Sequence, residues 1–252
     1  MEYLKKHFDE FTINTRIMPG LVIMLPVIIW GISKGIIDGN SLKENTVYLF
    51  IFTIFVVILS YYSRVCGRKV EKKLFKKLGG MPTTIILRHS DNFIDSKTKH
   101  RYHKILNSVI KDINIPENIG SELKNIHSDD EYKSAVNWLR NNANDNIDKY
   151  PMVHNELKNY NFTRNLYGLK RVGLAIYFFV GVWEGIRIES FNIMNLLMKP
   201  YPEYLSIIIM IIGALVVMMI ARKKNVKERA YDYAKALIET CEKLEDKNLN
   251  RG

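Results

Sequence analysis

Four apolar runs set the frame of this chain: Ile17–Ile37, Val47–Ser63, Val172–Ile188 and Tyr204–Ala221, each 17 to 21 residues long. A helix rises about 1.5 Å per residue, and a bilayer core of about 30 Å takes about 20 residues, with about 17 as the lower bound. All four runs therefore read as transmembrane helices. They fall into two tight pairs separated by a long polar segment. The reading is a mainly α integral membrane protein with two transmembrane hairpins and a small α or α+β cytoplasmic domain between them. Its parts are an N-terminus (1–16), hairpin 1 (17–63), a basic domain (64–171), hairpin 2 (172–221) and a C-terminal helix (222–252).

The polar segments carry their own periodicity. Asn14 or Thr15 is placed to cap the first span, Pro19 sits in its first turn, and Pro26 at mid-span predicts a kink. Gly31 with Gly35 and Gly181 with Gly185 form small-x-x-x-small pairs, which let helices approach closely in lipid. The second span runs into Arg64, Arg68, Lys69, Lys72, Lys73, Lys76 and Lys77 with no breaker before Gly79–Gly80, so its helix is expected to continue beyond the membrane. Thr83–Leu87, β-branched and bounded by Pro82, is the best strand candidate. Asp95 is placed to cap a helix through about Lys111, and Ser128 another through about Asn142, with Tyr132, Ala135, Val136 and Leu139 on one stripe. The fourth span is expected to run on through Arg222, Lys223 and Lys224. Beyond it, Val226, Ala230, Tyr233, Leu237, Cys241 and Leu244 form a seam, either coiled-coil-like or packed on the chain's own domain.

Charge orients the spans. Net charge is +11, and residues 64–171 hold 21 Lys and Arg against 12 Asp and Glu, with five of the six histidines. The short loops Asp38–Thr46 and Glu189–Glu203 carry one lysine each, Lys43 and Lys199. By the positive-inside rule both loops face out, and the termini and middle domain face the cytoplasm. The first span, followed at once by a second and lacking an A-x-A site, reads as an uncleaved anchor. Cys66 and Cys241 then lie in a reducing compartment and match no zinc spacing. The sequence gives no reason to expect a metal or cofactor.

Candidate chemistry gathers in one cluster: Arg88, His89, Lys97, Lys99, Arg101, Tyr102 and His103. Lys99, Tyr102 and His103 fall near one helix face, and cations with an interleaved aromatic suit phosphate and base stacking. Arg164, in a second basic and aromatic group before the third span, completes the candidate ligand set. The competing reading is a solvated charged face. A third is a membrane-anchored phosphodiester or phosphate hydrolase at Arg88–His103, although no zincin, P-loop or G-x-S-x-G pattern supports catalysis. Within the spans, Lys34, Glu184 and Arg187 are the pathway candidates, with Glu184 and Arg187 placed to pair on one face.

The run Leu87-Arg88-His89-Ser90-Asp91, with Asp95, Thr98-Lys99 and Arg101-Tyr102-His103, then Val136-Asn137-Trp138-Leu139-Arg140 and Arg164-Asn165-Leu166-Tyr167-Gly168-Leu169-Lys170, resembles the membrane effector of Hailong-type bacterial anti-phage systems. The resemblance implies an oligomeric channel, a tetramer by that analogy, held closed by DNA-like oligomers from a partner nucleotidyltransferase. Loss of the oligomer would let ions pass and depolarise the cell. The expected function is thus a ligand-controlled, ion-conducting effector with a cytoplasmic sensor for a nucleotide or oligonucleotide, the ion being an anion if Lys34 and Arg187 set the preference.

Overall fold

The computed structural model describes residues 10–34, 42–187 and 202–244. The calls on Gly35, Lys199, and most of the two short loops lie outside them. Every regular element among the described residues is a helix, and none is a strand. Its helices are α1 (Glu10–Ser33), α2 (Leu42–Leu78), α3 (Pro82–Ile85), α4 (Ser96–Val109), α5 (Ile119–Lys124), α6 (Ser128–Asp145), α7 (Pro151–Arg187), α8 (Pro202–Ile220) and α9 (Lys223–Ile238). Three of them, α1, α2 and α7, are long and apolar enough to cross a membrane, and a fourth does if α8 is counted with α9 across a 43° bend.

The chain divides into two compact units. An apolar unit comprises 1–71 and 161–226, and a polar unit comprises 72–160 and 227–252. Two helices belong to both: α2 as far as Glu71 and again from Lys72, α7 up to Tyr160 and again from Asn161. The expected continuation of the second span is thus present, and it stops where Gly79 takes φ 79°, a left-handed turn that glycine adopts without strain.

Inside the apolar unit α1 is more enclosed than α2 or α7. Of its most apolar window 39% is buried, against 22% for α2 and α7. Ile23 and Met24 of α1, Val56 and Leu59 of α2, Leu166, Leu169 and Tyr177 of α7, and Met210 and Val217 of α8 form the core. Two glycines permit the closest approaches. A Cβ on Gly168 would lie 2.6 Å from the backbone nitrogen of Gly67, so α2 and α7 cross nearly backbone to backbone. A Cβ on Gly213 would lie 2.5 Å from the ring of Pro26. Tyr177 donates to the Ile23 carbonyl at 2.6 Å, in the turn that Pro26 deprives of a backbone donor.

Several expectations are corrected. Thr83–Leu87 is no strand: Pro82 opens α3, and Ile85 and Ile86 bond back to Met81 and Pro82 at 2.9 and 3.0 Å. A lone strand would have no ladder partner, whereas a helical turn satisfies itself. The domain is α, not α+β, among the described residues. The first span starts before Asn14, at Glu10, and passes through a π turn at Ile13–Ile17. The fourth span does not run on. It breaks at Ala221–Arg222, where no glycine or proline marks the site, because side chains cover the freed carbonyls: Lys170 on Ala221 at 3.1 Å and Asn225 on Ile220 at 2.9 Å. Asp95 does cap α4, accepting from the Thr98 amide, whereas α6 is preceded by His127, and Ser128 is its first residue.

The polar unit buries the α6 stripe as expected, Tyr132, Ala135, Val136 and Leu139 all being 2% exposed or less. It also buries the α9 seam. Ala230, Tyr233, Leu237, Cys241 and Leu244 are covered within a single chain, and Tyr233 stacks on Tyr160. Of the two readings of that seam, packing on the chain's own domain is the one observed.

Candidate ligand cluster and ion pathway

The cluster around Arg88 is built by one loop lashed to three helices. The loop follows α3 and ends at the Asp95 cap of α4. Arg88 spans both carboxylate oxygens of Asp129, at 2.8 Å each, and donates to the Gly79 carbonyl at 2.9 Å. Lys99, 3% exposed, reaches back from α4 to the Arg88 carbonyl at 2.7 Å and to that of Asp91. Burial pushes the Lys99 ammonium below its ordinary range, with Asp91 and Glu122 opposing.

Two histidines pin the same loop. His103 Nε2 lies 2.8 Å from the Leu87 carbonyl and His89 Nε2 lies 2.7 Å from that of Pro116. A carbonyl only accepts, so in both rings Nε2 carries the hydrogen. The rings meet edge to face, 4.8 Å between centroids. Burial, with His89 beside it, pushes His103 down to about 4. Glu122 gathers the remaining donors: the His89 amide at 2.6 Å, the Tyr132 hydroxyl at 2.8 Å and Ser90 at 3.4 Å. Desolvation and this hydrogen bond raise the Tyr132 phenol.

Lys99, Tyr102 and His103 therefore do share a face, but it is the face turned into the unit. Tyr102 is 2% exposed and donates to Glu242 at 2.8 Å, and desolvation and Glu242 raise its phenol. Charged atoms reach solvent on the opposite side of α4, where Lys97, His100, Arg101 and Lys104 are exposed at spacings of three, one and three. Arg101 also contacts Glu242, at 2.9 Å. His100 and Lys104 are absent from the candidate set read from the sequence, although their spacing from Lys97 and Arg101 is visible in it. A longer basic face lies on α2: Arg68, Lys69, Lys72, Lys73, Lys76 and Lys77 are all exposed, in two columns with a spacing of four. Arg164 does not join the Arg88 group. It lies in the apolar unit, 9% exposed, ion-paired with Glu71 and hydrogen-bonded to Asn165 Oδ1 at 3.3 Å. Asn165 in turn donates to the Thr15 carbonyl at 2.7 Å, within the π turn of α1.

The expected pairing of Glu184 with Arg187 is not the one present. Glu184 Oε2 lies 2.7 Å from Lys34 Nζ, and its side chain is 3% exposed. The Arg187 guanidinium instead lies 5.1 Å from the Trp183 ring centre. The reason is geometric: α1 and α7 bring Lys34 to the inward face of Glu184, whereas Arg187 is exposed. Gly181 and Gly185 line an apolar groove between α7 and α8 with Phe178, Ile207 and Ile211, and a Cβ on either glycine would meet nothing within 4 Å.

No protein-family model matches this chain, and no curated protein or solved structure is significantly similar to it.

Proposed function

We propose that this chain is a ligand-controlled membrane effector that passes ions, with a cytoplasmic sensor for a nucleotide or a DNA-like oligomer. The observation that supports it best is the pair of unbroken helices, α2 and α7, each of which belongs to both the apolar and the polar unit. A ligand that prefers one arrangement of the polar unit acts on the same rods that build the apolar one. A full two-state switch needs about 5.5 kcal/mol of differential binding. The exposed cations of the polar unit, Lys72 to Lys77 on α2 and Lys97 to Lys104 on α4, are the polyanion-binding positions in this reading. The buried members of the Arg88 cluster shape the loop, and the exposed ones hold the ligand.

In this reading both termini and the polar unit face the cytoplasm of a bacterial inner membrane. Lys34, Glu184 and Arg187 line the permeation path, and several subunits surround it, four by the Hailong analogy. The open α7–α8 face at Gly181 and Gly185 is the subunit contact. A nucleotidyltransferase supplies the signal, and depolarisation is the output in anti-phage defence. The test is the purified full-length protein in liposomes, with ion flux followed with and without co-purified nucleic acid or a set of oligodeoxynucleotides. Flux that changes with oligomer supports the reading. No flux in any condition removes the channel, and no salt-dependent oligomer binding removes the sensor.

A further inference from the structure

The end of the apolar unit where α1 stops and α8 begins holds more buried donors than its protein partners satisfy. Trp30 Nε1, Glu184 Oε1, the Tyr204 hydroxyl and the Ser206 hydroxyl are buried with no hydrogen-bond partner among the described residues. Tyr204 and Ser206 are each 1% exposed and Glu184 is 2%. In a span, an unmet polar group has no water to fall back on.

Helix register puts Glu184, Ser206 and Lys34 near one height. The fixed point is Gly213 of α8, whose Cβ position lies against Pro26 of α1 and 3.7 Å from the Tyr177 ring of α7. Glu184 is seven residues beyond Tyr177, and Ser206 is seven before Gly213. Seven residues make two turns, about 10 Å, and return to within about 20° of the same face. Glu184 and Ser206 therefore continue the same seam at the same level. Trp30 stands about one turn above Pro26 and Lys34 about two, and the 2.7 Å Lys34–Glu184 pair closes the set.

The chemistry of the set selects the occupant. An indole N–H and an ammonium only donate, and two hydroxyls can donate. The Glu184 carboxylate bonds only Lys34 among the described residues, and Ser206 is the unpartnered hydroxyl that shares its level and seam. A metal cation would be repelled by Lys34 and by the indole N–H. A small anion would be met by charge-assisted hydrogen bonds. We propose that this is a monovalent anion site of halide size, and that the Glu184 carboxylate is its tethered occupant in the conformation seen here. A free halide takes its place on Lys34, with Ser206 as a donor beside it and Trp30 about one turn below, when Glu184 turns to Arg187. That guanidinium is three residues on, a neighbouring position on a helix. The exchange balances the local charge, because the two cations, which faced one carboxylate, then face two anions. The site rests on the spans being in a membrane and extends the permeation reading, but its test needs no gradient.

The test is halide binding to the purified full-length protein in detergent, followed by thermal stability and by chloride-35 NMR line broadening at constant ionic strength, with gluconate as the non-binding anion. Saturable stabilisation by chloride and bromide over gluconate is expected. Glu184→Gln removes the tethered competitor and should bind halide at least tenfold tighter. Ser206→Ala should weaken binding several-fold. The double variant Lys34→Gln, Glu184→Gln leaves no unpaired charge, so it guards against loss of folding, and it should abolish binding. Exchange of sodium for potassium or choline should change nothing. Equal behaviour in chloride and gluconate for both wild type and Glu184→Gln overturns the site, as does a response that follows the cation. Loss of the site with flux intact spares the channel, and binding without flux spares the site.

Discussion

Several side chains of the polar unit are tied to backbone carbonyls, Arg88 to Gly79, Lys99 to Arg88 and His89 to Pro116. His103 shows the consequence. It is buried and neutral, its Nε2 hydrogen on Leu87 and its proton affinity pushed down to about 4 from an ordinary 6.5. Between those values the unfolded chain binds the extra proton and the folded chain does not, so stability is full above about pH 6.5 and falls as pH drops toward 4. The loss approaches about 3 kcal/mol, from about 1.4 kcal/mol per unit. His103→Gln keeps an N–H for Leu87 and should flatten melting temperature against pH in that window. His89, Lys99 and His100 act electrostatically on the same ring and should remain in place in the variant. An unchanged acid slope would count against the assignment. Gly168 is a second case. Its Cβ would strike Gly67 backbone, so Gly168→Ala should cost about 1–3 kcal/mol in thermal unfolding. Gly181→Ala meets nothing within 4 Å in its own chain, so within the subunit it should be neutral or slightly stabilising. Equal melting of the two variants would mean that α2 and α7 do not cross closely.

At the scale of elements, the spans, the Asp95 cap and the α6 stripe were legible because each is a local periodicity of apolar or capping residues. The misreadings came from partners distant in sequence. Nothing in Ile220–Arg222 signals a break, since Lys170, 51 residues before Ala221, is one of the side chains that cover it. Thr83–Leu87 has the composition of a strand, and only the want of a second strand among the described residues makes it a turn of helix. The site was half legible. The sequence marked the right segment, but spacing alone could not tell that Lys99, Tyr102 and His103 face inward while Lys97, Arg101 and Lys104 face out. The test of ligand binding shifts accordingly. Arg88→Glu would sever the Asp129 bridge and unmoor the loop, so charge reversal belongs on exposed positions. Lys72→Glu with Lys76→Glu, or Lys97→Glu with Lys104→Glu, should weaken oligonucleotide binding and reduce its logarithmic salt slope by about 0.7 per lost single-strand phosphate contact. Filter binding across a salt series at constant temperature measures both. A slope unchanged in both double variants would leave these faces as solvated surface.

The whole molecule poses the question of sidedness, on which every functional reading depends. The Lys and Arg excess of residues 64–171 argues that this segment stays on the side of synthesis, since cationic loops resist translocation. The short loops, with one lysine each, then face the other side. A reporter fused at Asn40 should read as external, and one inserted at Ser121 as internal. The second site is a partly exposed position near the start of α5, in the local cap with Asn118. The reverse result would place the basic faces of α2 and α4 outside the cell, away from any intracellular oligonucleotide. The Lys34–Glu184 pair would then stand at the cytoplasmic end of the spans. The same experiment therefore decides more than topology. A sensor facing the cytoplasm and an anion-selective end facing out describe a protein that waits for an internal signal and answers at the membrane. The opposite orientation leaves a polycationic surface facing the medium, with no route for that signal to reach it.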